Sequence, residues 1–204
     1  FGDVMISAGS TGGLLSAGIF IIGRIHGITR PALAAVYPIL SKSPSLLIDS
    51  GANAEVKPRN LVDFAIMGSI YMEKVLNRKN PSVGLVNIGA EAHKGTSITQ
   101  KAYAELSNTS LNFSGNVEAR DIPLGRVDVI VCDGFTGNIL LKFTEGFAMN
   151  TLKYLKSKLL SSLKSKIGAA FLKTELYSLK DEFDYKTYGG APILGIKKPM
   201  IKIH

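Results

Sequence analysis

Short apolar or β-branched runs recur along the chain, at Val4 to Ile6, Ala32 to Val36, Leu46 to Ile48, Val83 to Ile88, Leu111 to Phe113 and Val127 to Val131. Runs of this length bounded by turn residues predict strands. Between them the apolar period changes. Leu61, Ala65, Gly68, Met72 and Val75 advance by four and three, and Ile98, Ala102 and Leu106 repeat by four, which predicts two helices. Strands alternating with helices predict an α/β fold built on a mostly parallel sheet. The longest apolar run, Leu14 to Ile22, is far shorter than the roughly 20 residues of a membrane span and is read as a buried helix.

From Thr144 the pattern takes on a different character. Leu152, Leu155, Leu159, Leu163 and Ile167 form an apolar helical stripe, interspersed with Lys153, Lys156, Lys158, Lys164, Lys166 and Lys173. No acid occurs between Glu145 and Glu175. A second helical stretch is expected to begin near Ala169, after the turn residue Gly168, carrying Phe171, Leu172, Leu176 and Leu179. The two together predict a helical hairpin over 144–183, protruding from a single α/β domain spanning 1–204.

The segments after the predicted strands are rich in small and polar residues. Ser7-Ala8-Gly9-Ser10-Thr11-Gly12-Gly13 follows the first, Asp49-Ser50-Gly51-Ala52-Asn53 the third, and Asn87-Ile88-Gly89 with His93-Lys94-Gly95-Thr96 the fourth. Gly115-Asn116-Val117-Glu118 stands near Phe113, and Cys132-Asp133-Gly134-Phe135-Thr136-Gly137-Asn138 follows Val131. In open α/β sheets ligands bind beyond the carboxyl ends of the strands, so a ligand site is expected there.

Composition narrows the classes. With 46% hydrophobic residues in 204 the chain has material for a real core. Its one cysteine, Cys132, rules out an internal disulfide and a cysteine-rich zinc cluster, and fits a reducing cytoplasm. A net charge of +8 favours an acidic partner: nucleic acid, an anionic lipid surface, a phosphorylated substrate or an acidic protein. Phe1-Gly2-Asp3 carries no basic leader, and Phe1 at one end with the strand-like Met200 to His204 at the other lead us to expect a fragment.

Each candidate motif has a plain alternative. The Ser7 to Gly13 turn has glycines at 9, 12 and 13, which is neither the dinucleotide fingerprint nor a phosphate loop ending in Lys-Ser/Thr, so NAD and ATP lose their best evidence. With Ser10 and Thr11 at a helix entrance it is an anion site or merely a tight turn. Pro58 suits the first residue of a helix, which places Lys57 at a helix N-terminus, as an anion ligand or a solvated lysine. Gly95 permits an unusual backbone angle, Thr96 or Ser97 can cap the next helix, and Lys94 is thereby aimed at the ligand edge. His93 is read as a surface or supporting residue rather than a general base, and no Ser-His-Asp arrangement is legible. In Thr136-Gly137-Asn138 the asparagine amide is an oxyanion donor or a helix cap. Cys132 is read as buried packing rather than a nucleophile.

Taken in order, these blocks resemble the bacterial phosphate acyltransferase family, which moves a fatty acyl group from acyl carrier protein to inorganic phosphate. The resemblance rests on Ser7-Ala8-Gly9-Ser10-Thr11-Gly12, Gly23-Arg24-Ile25 with Gly27-Ile28 and Arg30-Pro31-Ala32-Leu33, Gly51-Ala52-Asn53-Ala54 with Lys57-Pro58, and Ala65-Ile66-Met67-Gly68-Ser69-Ile70-Tyr71. It continues through Asn87-Ile88-Gly89 with Lys94-Gly95, Gly115-Asn116-Val117-Glu118 with Arg120-Asp121, Asp133-Gly134-Phe135-Thr136-Gly137-Asn138 and Tyr188-Gly189-Gly190-Ala191-Pro192. Ser10 stands where the family usually has Asn, Ala90 where it has an acidic or polar residue, and Ala119 where it sometimes has Gly.

The resemblance implies a three-layer α/β/α fold related to isocitrate and isopropylmalate dehydrogenases, a homodimer, and no nucleotide cofactor or metal. It also implies that the family's first strand region and last helix lie outside this chain. Acyl carrier protein and inorganic phosphate are the implied substrates, the anionic membrane surface and a downstream membrane glycerol-3-phosphate acyltransferase the implied neighbours, and nucleic acid is not a partner. Lys94 and Asn138 are the expected catalytic pair. Ser7, Gly9, Ser10, Thr11, Gly12, Asn53, Lys57, Gly95, Thr136 and Gly137 are expected to bind phosphate and substrate. Lys153, Lys156, Leu159, Leu163, Lys164, Lys166, Ile167 and Phe171 are expected to touch the membrane, the protein being cytoplasmic and peripherally attached. A short-chain phosphotransacetylase, an NAD-dependent dehydrogenase and a non-catalytic membrane scaffold are the rival readings.

Overall fold

The computed structural model describes residues 2–39, 43–182 and 189–203. Eight strands among them form one sheet: β1 (Met5–Ser7), β2 (Ala32–Tyr37), β3 (Ser45–Ile48), β4 (Ser82–Asn87), β5 (Asn112–Glu118), β6 (Val129–Val131), β7 (Ala191–Leu194) and β8 (Met200–Lys202). Their spatial order is β1-β8-β7-β2-β3-β6-β4-β5. The half from β3 to β5 is parallel throughout. The other half is held by antiparallel pairings of β2 with β3, β2 with β7 and β7 with β8, and by parallel β1 and β8. The sheet is therefore mixed, and the mostly parallel expectation describes its β3–β5 half.

Side-chain alternation along the central strands sends residues to two separate cores. Leu46, Ile48, Val129 and Val131 face α2 (Pro58–Lys74) and α3 (Ser97–Ser107), meeting Leu61, Phe64, Ala65, Met72, Ala102 and Leu106. Leu47 and Ile130 face the other way, toward Tyr37, Ile122, Cys132 and the inner side of α4 (Gly134–Leu159) at Leu140 and Leu141. A third cluster joins Leu14 of α1 (Thr11–Ala17) to Leu33, Ile193, Ile196 and Met200. Both faces are covered, giving the three layers that the resemblance implied. Buried Tyr37 pins α4 to β2 through a 2.7 Å hydrogen bond between its hydroxyl and Thr144 Oγ1.

Several expectations need correction. The Leu14 to Ile22 run is not one buried helix: after α1 the chain widens into a π turn over Gly18–Ile22. Leu14 and Gly18, four apart, face the core, while Phe20 and Ile21 on the opposite side are 84% and 83% exposed. β7 was hidden by Pro192, which demotes a run of four as a strand. β5 runs through Gly115-Asn116-Val117-Glu118, so that block lies within the strand rather than after it. The basic segment is not a two-helix hairpin. α4 begins at Gly134 and runs 26 residues, the stripe breaks at 160–162, and Ser162 caps α5 (Leu163–Phe171) by accepting from Ser165 N–H. Ala169 lies inside α5, and α6 (Lys173–Glu182) follows. Phe183, at the end of the expected hairpin, lies outside the described residues, as do Tyr188 and His204.

Gly68 shows how tightly α2 is seated. A Cβ there would stand 2.6 Å from Val129 Cγ1, in the middle of the sheet. Replacing Gly68 with Ala should destabilise the fold by about 1–3 kcal/mol through overpacking, seen as a lower Tm with an unchanged far-ultraviolet spectrum.

Candidate active site

β3 ends at Ile48, and the next residue, Asp49, is fully buried. Its Oδ1 accepts hydrogen bonds from the backbone N–H groups of Leu33 (3.1 Å), Gly51 (3.1 Å) and Ala52 (2.9 Å). Its Oδ2 accepts from Asn53 N–H (2.7 Å) and Asn53 Nδ2 (2.8 Å). Burying a carboxylate costs several kcal/mol unless donors replace the lost water, and five donors do so here. Burial still pushes the carboxyl above its ordinary value, against the opposing pull of the N–H groups of Ala52, Asn53 and Leu33. Asn53 Nδ2 also donates to Pro31 O at 2.8 Å. Both Nδ2 partners are acceptors, which fixes the amide orientation and leaves Asn53 Oδ1 buried without a partner.

The entrance to α4 is seated on this loop. Asp133 is its N-cap, accepting from Thr136 N–H at 2.9 Å and from Thr136 Oγ1 at 2.8 Å. Gly134 N–H donates to Asn53 O at 2.7 Å. A Cβ on Gly134 would stand 2.8 Å from Asn53 N, and one on Gly137 would overlap the Asp49 carbonyl oxygen. Only glycine admits this approach. Asn138, exposed on the first turn of α4, lies beside Gly51, whose hypothetical Cβ would be 3.6 Å from Asn138 Cβ and Oδ1. Its amide has no partner among the described residues. Asn138 is thus not a cap, and Thr136 spends its hydroxyl on Asp133.

β4 and β6 are adjacent and parallel, so the loop after β4 shares a rim with the α4 entrance. Lys94 is half-buried there, its Cγ 3.1 Å from where a Gly89 Cβ would be, and its ammonium has no hydrogen bond or ion pair among the described residues. Asn87 Nδ2 donates to Lys94 O at 3.1 Å. Gly95 has φ +87°, and a Cβ there would overlap Asn87 Oδ1 and Thr99 Oγ1. Thr96 caps α3, accepting from Thr99 N–H at 3.3 Å. Lys57 precedes Pro58 at the entrance to α2, where its own N–H donates to Asn60 Oδ1 at 2.8 Å, and the residue is exposed.

The first turn is placed differently. Through the chain of pairings from β1 to β3, β1 runs in the opposite sense to β3, β4, β5 and β6. The rule that gathers strand ends on one rim therefore does not bring Ser7, Gly9, Ser10, Thr11 and Gly12 to the Lys94 and Asn138 rim. Within the turn, Ser7 Oγ accepts from Gly9 N–H at 3.1 Å and Ser10 Oγ caps α1 by accepting from Gly13 N–H at 3.2 Å. No hydrogen bond among the described residues links it to Asp49, Lys94 or Asn138.

Sequence reasoning missed Asp49 and Asp133 as organisers of the rim. The available signal was an Asp one or two residues after each of two central strands, ahead of small residues, the pattern of a side chain bonding to its own following N–H groups. Cys132 is buried, and burial first, then the charges of Asp133 and Asp49, push its thiol well above its ordinary value, which suits packing and not nucleophilic attack.

Gly95→Ala should lower the Tm, because the added methyl displaces the turn that holds Lys94. An unchanged Tm would contradict this account of the turn.

Residues 2–204 match the family described as fatty acid synthesis protein. The phosphate acyltransferase of Alkaliphilus oremlandii is 56% identical over 202 residues, covering 99% of this chain and 60% of that protein. That of Clostridium tetani is 54% identical over 200 residues, again covering 60% of the relative. The chain thus spans about 60% of the length of the curated relatives it matches. Among solved structures, a phosphotransacetylase from Streptococcus pyogenes aligns with TM-score 0.59 at 18% identity, over 72% of this chain and 51% of that one. A branched-chain phosphotransacylase from Enterococcus faecalis aligns with TM-score 0.57 at 14% identity, over 99% and 67%. At those identities the likeness is one of fold. The ordered blocks from Ser7 to Pro192, the mixed three-layer sheet and the match over residues 2–204 lead to one conclusion: the chain belongs to the fatty acid synthesis protein family.

Proposed function

We propose that the protein of which this chain is part transfers a long-chain fatty acyl group from acyl carrier protein to inorganic phosphate. The observation that carries this reading is identity of more than half the residues, over nearly the whole chain, with proteins named phosphate acyltransferase. The rim agrees with it chemically. A phosphate oxygen is itself a nucleophile, so attack on a thioester needs no activated serine or cysteine, and the thiol at the rim, Cys132, is buried.

In this reading the Lys94 ammonium holds phosphate beside the thioester carbonyl. The new P–O–C bond forms as the carbonyl oxygen takes up negative charge, and the Asn138 amide donates to that oxygen, with Phe135 N–H nearby. The tetrahedral adduct collapses by breaking the C–S bond, and the thiolate of the carrier leaves and takes a proton from water. Thiolate is a fair leaving group, a cysteine thiol having a reference pKa near 8.5. Asn53 and Thr136 support the entrance of α4, which carries Asn138. The Ser7 to Gly13 turn, which lies apart from the Lys94 rim, and Lys57 would hold an anion separately, each at a helix entrance.

The exposed surface supports the proposed partners. No helix among the described residues is long and apolar enough to cross a membrane. On α5, Leu163, Ile167 and Phe171 form an exposed stripe four residues apart, flanked by the exposed Lys164 and Lys166. With Lys153 and Lys156 on α4, and Leu159 at its end, this surface suits an anionic bilayer or the acidic carrier. Phe135, Ile139, Phe143 and Phe147 form a second exposed stripe on α4, a face suited to a homodimer. An acyl phosphate released at the membrane would then reach a glycerol-3-phosphate acyltransferase there.

The full-length protein, given palmitoyl-acyl carrier protein and phosphate, should yield an acyl phosphate trapped by hydroxylamine. Lys94→Ala and Asn138→Ala should each lower turnover by about 100- to 1000-fold with folding intact. Product from acetyl coenzyme A alone would move the assignment to a short-chain phosphotransacetylase, and absence of product with every donor would remove the enzyme reading. The protein should also co-sediment with anionic vesicles and elute at dimer mass by light scattering. Vesicle binding unchanged by Lys-to-Glu substitution at 153, 156, 164 and 166 would exclude the basic arm as the contact.

A further inference from the structure

We infer that Asp49 is a positioning residue for the proposed acyl transfer, its buried carboxylate setting the place of the Asn138 amide through the Gly51 turn. The inference rests on the reading of Asn138 as the oxyanion donor. Two parts of Asp49 touch the structure that carries Asn138. Its carbonyl oxygen is packed against Gly137, at a position where a Cβ would overlap it, so the first turn of α4 is set directly on the Asp49 backbone. Its carboxylate grips the N–H groups of Gly51, Ala52 and Asn53, and Gly51 in turn lies against Asn138.

Asn138 is therefore bracketed from below and beside by one residue. Gly51 has φ +136°, in the region that only glycine adopts freely, and the three consecutive N–H groups converging on one carboxylate account for that conformation. The same carboxylate holds Leu33 N–H at the start of β2, which ties the turn to a further part of the rim, and Asn53 Nδ2 of the turn itself. A turn built only to connect β3 to α2 has no need of a charged group in a fully buried place. The Asn138 side chain, by contrast, makes no hydrogen bond among the described residues, so its place is set by its position on α4 and by what it packs against.

Asp49→Asn keeps the size of the side chain but sets an NH2 group against N–H donors, since all five of the present partners donate. In the full-length protein, with palmitoyl-acyl carrier protein and phosphate, it should lower kcat about 10- to 100-fold while KM for phosphate stays within about 3-fold. The decisive measurement is the same substitution in an Asn138→Ala background. There Asp49→Asn should cost less than about 3-fold, because the group it positions is already gone.

Equal losses in both backgrounds would overturn the inference, showing that Asp49 acts on the fold or on another group. If Asn138→Ala alone leaves turnover intact, the oxyanion reading fails and this inference falls with it, a separate and distinguishable result. Should Asp49→Asn not fold, as judged by its thermal transition, Gly51→Ala enters the same cycle. At φ +136° an alanine strains the turn whose N–H the carboxylate holds, and so tests whether that turn sets the place of Asn138. A loss confined to the Asn138 background supports the coupling, and a loss independent of Asn138 overturns it.

Discussion

A buried carboxylate cannot be left to find its own partners, and the need to satisfy Asp49 governs much of this molecule. Five N–H donors must converge on it, three of them from consecutive residues, so the chain from Gly51 to Asn53 has a single arrangement. That arrangement presents the Asn53 carbonyl to Gly134 and thereby seats the start of α4. It also ties the start of β2 to the end of β3, where the parallel half of the sheet meets the antiparallel half. The loop is therefore both a structural joint and the floor of the rim where the chemistry is proposed.

Glycine is the other condition for this geometry. Gly134 and Gly137 let α4 approach a loop whose backbone atoms stand where side chains would be, and Gly68 does the same for α2 against β6. The consequence is a rim made mainly of backbone and short polar groups. The proposed attack by phosphate would need such a rim more than it would need a nucleophilic side chain. A cation, an amide and fixed N–H groups stabilise developing charge without being consumed, and Cys132, the one thiol, is held away from reaction by burial.

The proposed chemistry and the proposed surface attachment fall on different parts of one helix. The first turn of α4 carries Asn138 at the rim, while its far end and α5 carry lysines and exposed apolar side chains. In the proposed function, an acyl group brought by a carrier and passed on to a bilayer would move between two such environments. A single 26-residue helix, about 39 Å long at 1.5 Å per residue, spans that separation.

Periodicity along the chain was enough to place α2, α3 and most of the strands, because each buries one face and repeats its apolar positions accordingly. The positions of Lys94 and Gly95 in the segment after β4, and of Asn138 near the start of the helix after β6, were legible for a local reason, since small and polar residues cluster beyond both strands. Pairing sense was not legible. Strand direction depends on partners distant in sequence, so the antiparallel joint at β2 and β7, and with it the separation of the Ser7 turn from the Lys94 rim, appeared only in three dimensions. The break after Leu159 depends on Ser162 bonding to Ser165 N–H, a choice that an unbroken apolar stripe conceals. Asp49 shows the division most clearly. Its residue type and place after β3 were plain in the sequence, but an aspartate there is usually a solvated turn residue. Its burial, and the five donors that make the burial tolerable, arise where β2, β3 and α4 meet, and no local pattern encodes that meeting.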